Sequence, residues 1–433
     1  MRISGRLAAA IDILSDFDAR PAPLKTALAD WGRANRYAGA KDRAWISGLC
    51  LDVLRRRPSL AAYADGDAPR SVVFAAYRAL WGAAFDALAD AADGPHGPGP
   101  LTATEVARFE GAPALDPGVF DAPAWIRPLA ARVFGDDAVA EIAALSARAP
   151  VDLRANTLKT SVDKASSALT SVNAERVSIL ETALRVPAAN PSERAPAVTV
   201  IPAFNKGWVE VQDLGSQIAA AAAGAVAGAQ VLDYCAGGGG KTLALAALMN
   251  NTGQLYAYDS DARRLAGLFQ RAQRAGLRTV QIRSPADGAD LSDFAEKMDV
   301  VFVDAPCTGS GTWRRKPDAK WRVSDKQLAR RQSEQDAVLR EARAFVKPGG
   351  ALVWATCSFL AEENEDRLDA FLRDAPDFAR TPTIDAVAAS GVLATAGAAA
   401  LAPCVTADGA LRLTPRRIGA DGFYIATLRR AQG

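Results

Sequence analysis

Histidine is nearly missing from this chain. The 433 residues hold one, His96, within the stretch GPHGPGP. A Ser/His or Cys/His engine would have to use a side chain set in a Gly/Pro linker, where a histidine is ordinarily solvent-exposed. Cysteine is scarce too. The five thiols (Cys50, Cys235, Cys307, Cys357, Cys404) are widely spaced and form no CxxC pair. That spacing argues against zinc or another bound metal, and against a disulfide framework. No apolar run reaches the roughly 18 residues of a membrane span. The longest candidate, near Ala219–Ala229, is rich in Ala and Gly. Arg2 and Arg6 open the chain, but Asp12 interrupts before a signal-peptide apolar region forms. The expectation is a cytoplasmic protein, a monomer, with no membrane partner. Net charge is only +2, so a polyanion would have to be met by a local patch.

The rest of the composition is ordinary for a globular chain, with 49% hydrophobic and 23% charged residues. The length suggests two or three domains at roughly 150 residues each. Residues 1–145 are expected to be helical, because apolar residues recur at helical spacing in RLAAAIDILSDF and RAWISGLCLDVLRR. Met1–Arg57 holds 11 Lys/Arg and 6 Asp/Glu, whereas Pro58–Pro150 holds 6 Arg and 12 Asp/Glu. That asymmetry fits either a polyanion-facing end or a solvated basic helix face. Residues 146–205 are expected to form a small α+β module. It comprises a strand in PVDLRA, a helix capped by Ser161, strand-like runs in LETALRVP and AVTVIPAF, and the Pro-rich connector Pro187–Pro196.

Residues 206–433 alternate strands (QVLDYC, QLYAYD, TVQIRS, DVVFVD, ALVWAT) with helical stretches. The fold class is therefore α/β, with βαβ units and a mostly parallel sheet. The final segment, GALRLTPRRIGADGFYIATLRR, suits an antiparallel hairpin at the sheet's edge. Ligands of such sheets bind beyond the carboxyl ends of the strands. In VVFVDAPCTGSG a buried-type strand ends on Asp304 and leads into Cys307, and ALVWATCS ends on Cys357. An acid and two thiols are thereby displayed to a ligand.

The first strand runs into DYCAGGGGKT. A phosphate loop would need glycine where Cys235 stands, and a dinucleotide fingerprint is broken by Lys241 and Thr242. The remaining class is S-adenosylmethionine, whose methionine end packs on such a loop. Asp259, ending the second strand, can accept hydrogen bonds from ribose hydroxyls, which nicotinamide dinucleotides share. Two strand-end thiols decide the chemistry. C5 of cytosine is a poor nucleophile, but a thiolate adding at C6 makes it enamine-like. Cysteine is both a strong nucleophile and a serviceable leaving group. An acid near N3 stabilises the adduct. Asp304 suits that role, and equally a hydrogen bond to the cofactor's amino group. Cys50 and Cys404 are expected to be structural.

CAGGGGKT, DAPCTGSG and ATCSFLAEENE resemble the motifs of the RsmB/NSUN-type RNA cytosine-C5 methyltransferases. VDLRANTLK and GWVEVQDLGSQ are similar to that family's approach to its catalytic domain. The N-terminal helices, with KDRAWISGLCLDVLRRR, are similar to the NusB-like RNA-binding domain of the bacterial ribosomal-RNA branch. Gly238 stands where the family usually has proline. The resemblance implies a Rossmann-like methyltransferase domain forming 5-methylcytidine, foremost in 16S ribosomal RNA. Cys357 would be the nucleophile and Cys307 the second cysteine, assisting breakdown of the adduct, with Asp304 beside them. Cys235, Ala236, Gly237, Gly238, Gly239, Gly240, Lys241, Asp259, Asp287 and Asp304 would contact S-adenosylmethionine. Asp290 rivals Asp287, and Lys241 has an alternative role in orienting Asp304 or the base. Transfer RNA or another RNA is the alternative substrate, and a non-catalytic assembly factor the alternative class. A DNA cytosine methyltransferase would attack with the cysteine at position 307 and carry glutamine next, where Thr308 stands.

Trp313–Arg331 is basic and aromatic, with 8 Lys/Arg against 2 Asp from Arg314 to Arg331. Trp313, Arg314, Arg315, Lys316, Lys320 and Arg322 are the expected RNA contacts. Cations would meet phosphates, and aromatic faces would stack on unpaired bases. A solvated helix with core tryptophans is the competing reading.

Overall fold

A proline decides the shape of the longest N-terminal helix. In this computed structural model, which describes residues 1–433 except 21, 112–113, 191–196, 289 and 433, Ala40–Ala64 is helical with a break at Arg56 (φ −124°, ψ 24°). Pro58 lies two residues on. It has no N–H for the carbonyl one turn back, and its ring crowds that turn. The helix Ile3–Ala19 buries Leu7, Ala10, Leu14 and Phe17 on one face against Leu49, Cys50 and Val53.

The chain divides into two compact bodies. One contains Met1–Arg148 together with Thr312–Val323, and the other contains Ala149–Ala188, Pro196–Gly311 and Ser324–Gly433. The first body is helical among the described residues. His96 lies in its Gly/Pro loop, exposed and with a left-handed φ of 61°. No helix among the described residues is long and apolar enough to cross a membrane.

The second body holds two sheets. The smaller is antiparallel and comprises β1 (Val151–Ala155), β2 (Glu175–Arg176), β3 (Ala183–Val186) and β4 (Val209–Val211), in the order β2-β3-β1-β4. Ser161 accepts a hydrogen bond from Lys164 N and caps the helix Val162–Ser167, as its position predicts. The run AVTVIPAF does not form a strand: Val198–Val200 is a 3-10 turn and Pro202–Asn205 a helical turn. Pro202 at the helix start pre-sets its φ and needs no N–H partner there. The fourth strand comes instead from β4, beyond residue 205. Residues 191–196 of the Pro-rich connector lie outside the described residues.

The larger sheet uses β5 (Gln230–Asp233), β6 (Gln254–Tyr258), β7 (Val280–Arg283), β8 (Met298–Asp304), β9 (Val346–Thr356), β10 (Phe378–Thr381), β11 (Leu411–Leu413) and β12 (Phe423–Arg430). The order is β10-β12-β9-β8-β5-β6-β7, with β11 pairing β12. Strands β5 to β9 pair in parallel, and β12 is antiparallel to β9. The α/β class holds. The terminal pair β11 and β12 is antiparallel as expected, but β12 is not an edge. It lies between β9 and β10, and all of its first six residues, Phe423–Leu428, are buried. An interior strand is apolar on both faces, as FYIATL is.

Candidate active site at the carboxyl ends of the parallel strands

Register brings the two thiols together. Parallel pairing sets Asp304 of β8 opposite Ala355 of β9, so both chains leave the sheet on the same side. Cys307 and Cys357 meet there with their Sγ atoms 3.4 Å apart. The two loops are also bonded to each other. Gly311 N donates to Cys357 O at 2.9 Å. Ser310 Oγ lies 2.9 Å from Ser358 Oγ and accepts from Phe359 N at 3.0 Å. Gly311 sits against the backbone of Gly422, where an added Cβ would come within 2.0 Å of Gly422 O. Ser310, Gly311 and Ser358 are therefore packing and bonding partners that hold the two cysteine loops together.

The hydrogen bond to Cys357 holds the Cys307 thiol's pKa well above its ordinary value, and burial and the charges of Glu363 and Asp304 add to the effect. Asp304 Oδ2 receives Lys241 Nζ at 2.6 Å. Burial opposes the ammonium of Lys241, but the attraction of Asp304 outweighs it and raises the lysine's pKa. The bond places Lys241 to orient Asp304, one of the roles that the sequence leaves open beside contact with the cofactor or the base. Beneath them Asp233 is fully buried and receives Thr242 Oγ1 at 2.6 Å. Burial pushes the Asp233 carboxyl up to about 7, against the hydroxyl's opposing pull.

The glycine loop bends at Gly237 (φ 51°) and Gly239 (φ 78°), both left-handed, whereas Gly238 has no positive φ. The absence of proline at 238 therefore leaves the bends where they are. Asp259 ends β6 and is almost fully buried. Its Oδ2 takes Gly237 N at 3.0 Å and its Oδ1 takes Asp261 N at 2.9 Å. Arg264 Nη1 lies 3.6 Å from Oδ2; a carboxylate offers about four acceptor sites, so acceptor capacity remains for a ligand's hydroxyl groups. Cys235 and Ala236 form the loop's entry, and Gly240 starts the helix Gly240–Leu248. Burial, then the charges of Asp259, Asp304 and Asp233, pushes the Cys235 thiol well up, in keeping with an inert sulfur. Asp287 lies exposed on the turn Pro285–Asp287. The rival Asp290 already accepts Ser292 N and Ser292 Oγ. Cys50 and Cys404 are fully buried.

The basic segment is the main correction. Trp313, Arg314 and Lys320 are buried, so they cannot stack on a base or meet a phosphate. Lys320 Nζ donates to Arg55 O at 2.7 Å, Asp121 O at 2.6 Å and Ser146 Oγ at 3.0 Å. Trp321 Nε1 donates to Leu54 O at 2.8 Å. Leu54 is the residue whose carbonyl Pro58 leaves without an N–H, and Arg55 O is freed because Ser59 N turns to Asp121 Oδ1. The segment therefore plugs the proline break of the long helix. Arg315 is half-buried, and Lys316 and Arg322 are exposed, with Arg322 paired to Asp318. Two residues that the sequence does not single out also meet the cysteine loop, Glu363 and Gln335. Glu363 had a signal in the EEN following TCSFLA. Gln335, in mid-helix, had none.

Residues 224–429 match the family described as 16S rRNA methyltransferase RsmB/F. A probable ribosomal RNA small subunit methyltransferase B from Synechocystis is 31% identical over 313 residues, 71% of this chain and 67% of the relative. The chain belongs to the RsmB/F methyltransferase family. A Bacillus subtilis relative, also named a probable ribosomal RNA small subunit methyltransferase B, is 34% identical over 52% of this chain and 49% of its own length. Matches thus span from about half to two thirds of these relatives. Among solved structures, PH0851 aligns over 99% of both chains with a TM-score of 0.69 at 23% identity. A methyltransferase homolog from Pyrococcus horikoshii covers 70% of this chain and 93% of its own, with a TM-score of 0.55 at 27% identity. Pyrococcus horikoshii NSun6, solved with SFG, gives 0.57 at 20% identity over 72% of this chain and 99% of its own. The cofactor of this RsmB/F-family chain is S-adenosylmethionine. Among the described residues no cluster of His, Cys, Asp or Glu could hold a metal.

Proposed function

We propose that this chain methylates C5 of a cytidine in RNA, foremost in the small-subunit ribosomal RNA that its relatives' names specify, through a covalent adduct of Cys357 with C6. One observation carries the reading: two thiols 3.4 Å apart at neighbouring strand ends, next to a carboxylate held by a lysine. Neither a scaffold nor a binding module needs that arrangement.

Cys357 Sγ bonds to C6 and its proton passes, by way of Asp304, to the N3 side of the ring. The bound cofactor supplies an electrophilic methyl group to the enamine carbon so formed. Cys307 then relays a proton. It takes the hydrogen leaving C5 and gives its own to the departing sulfur of Cys357. The C–H electron pair re-forms the C5–C6 double bond, the S–C6 bond breaks, and the proton held at N3 returns to solvent. A thiol kept protonated by its surroundings is suited to that relay. The target base must be unstacked to expose C5 and C6. Asp259, the glycine loop and Asp287 would hold the cofactor, and Arg315, Lys316 and Arg322 are the remaining candidates for phosphate binding.

The test uses labelled RNA, S-adenosylmethionine and two variants on a denaturing gel. Cys357→Ala should abolish methylation and adduct together. Cys307→Ala should accumulate a protein–RNA band. A band from Cys357→Ala, or none from folded Cys307→Ala, overturns the assignment. Supplying ribosomal and transfer RNA from cells lacking the protein identifies the substrate.

A further inference from the structure

The main chain on both sides of Cys307 is held by a buried polar clamp that the reaction scheme leaves unused. Glu363 and Gln335 are fully buried. Glu363 Oε1 accepts Thr308 N at 2.8 Å, and its Oε2 accepts Thr308 Oγ1 at 2.6 Å. Gln335 Nε2 donates to Pro306 O at 2.8 Å and to Glu363 Oε1 at 3.2 Å. The residues before and after Cys307 are thus tied to two different elements, the helix Asp325–Ala342 and the turn Ala361–Glu363. Those elements are in turn tied to each other. A buried carboxylate with four possible acceptor sites costs several kcal/mol unless it is well satisfied. A mere loop staple needs no charge, because a buried amide or hydroxyl would serve.

We propose that Glu363, with Gln335, is the positioning residue for Cys307, fixing its sulfur beside Cys357 and setting a buried carboxylate against its loop, so that the two thiols take different roles. This rests on the reading of Cys307 as the relay in adduct breakdown. The Cys307 sulfur lies 3.4 Å from Cys357 Sγ, and the charges of Glu363 and Asp304 act on it. Glu363 also hydrogen-bonds the side chain of Ser358, next to Cys357, but the clamp's bonds to the main chain, at Pro306 and Thr308, flank Cys307. The main-chain bonds at Pro306 and Thr308 therefore give two neighbouring thiols a structural asymmetry.

The experiment is Glu363→Gln in the full chain, with two readouts. With labelled RNA and cofactor, adduct formation should stay within a few-fold of wild type, while adduct breakdown slows roughly tenfold to a hundredfold, the usual cost of a misplaced catalytic group. The pH at which iodoacetamide alkylates Cys307, located by peptide mass spectrometry, should fall, because the neighbouring charge is gone. A purely structural role would not move that pH. Thr308→Val serves if Glu363→Gln does not fold. It removes one of the clamp's bonds, keeps the charge, and should slow breakdown without moving the alkylation pH. Wild-type breakdown in a folded Glu363→Gln, or an unmoved alkylation pH, overturns the inference. If wild type forms no adduct with any RNA, the parent reading fails instead.

Discussion

Replacing Lys320 with methionine separates a lysine that binds RNA from one that holds the helical body together. Its ammonium is fully buried, and burial pushes its pKa down to about 7 against the weaker pull of Asp121. An ordinary lysine titrates near 10.4, so the gap corresponds to roughly 5 kcal/mol at about 1.4 kcal/mol per tenfold. The sign follows from proton counting. Between about pH 7 and 10 the unfolded chain carries one more proton than the folded one, so stability rises with pH, by at most about 1.4 kcal/mol per pH step. Below about pH 7 both states are charged and the contribution is flat. Methionine removes the buried charge but also the lysine's bonds to Arg55 O, Asp121 O and Ser146 Oγ, leaving the last two only their mutual 3.5 Å contact, at roughly 1–3 kcal/mol for each bond lost. The two effects are of similar size, so absolute stability at one pH decides nothing. The decisive quantity is the difference between wild type and variant across pH 7 to 9. Urea unfolding read by the reactivity of the buried thiol Cys50 reports on the same body, and taking the difference cancels the other titrating groups. Wild type should gain about 2–3 kcal/mol relative to Lys320→Met over that range, while the salt dependence of RNA binding stays the same. A pH-independent difference with an RNA salt slope flatter by about 0.7 would refute the structural assignment and restore Lys320 to the RNA surface.

Other expectations follow from the same geometry. Asp259→Ala should weaken S-adenosylmethionine binding by about 1–3 kcal/mol, read by calorimetry, with RNA affinity nearly unchanged. Neutralising Arg315, Lys316 and Arg322 together should flatten the log–log salt dependence of RNA affinity by about 0.7 for each phosphate no longer neutralised; an unaltered slope would leave the three as solvated surface. Gly311→Ala, whose Cβ meets the Gly422 backbone, should lower stability by roughly 1–3 kcal/mol, seen as a lower thermal midpoint, with slower methylation because the Cys357 carbonyl bond to Gly311 is disturbed.

The placement of the candidate site residues was legible because it is local. Asp304, Cys307 and Cys357 each terminate a strand or follow one within a few residues. A parallel sheet delivers all such ends to one side whatever the exact packing. The glycine loop was legible for the same reason, since positive φ at Gly237 and Gly239 is a property of those residues. The alternation of strands and helices likewise carried the α/β class.

What tertiary structure alone decided depends on partners far along the chain. Lys320 finds its acceptor at Arg55 across 265 residues, and Trp321 finds Leu54 across 267. Nothing in WRRKPDAKWR distinguishes an ammonium that seeks phosphate from one that fills the gap left by a proline. Both need the same donors, and only folding shows which acceptors are near. The burial of β12 between β9 and β10, and the clamp of Glu363 and Gln335 on the Cys307 loop, belong to the same kind. An isolated strand or carboxylate has the same side chain at an edge or in a core, and its neighbours determine which role that side chain takes.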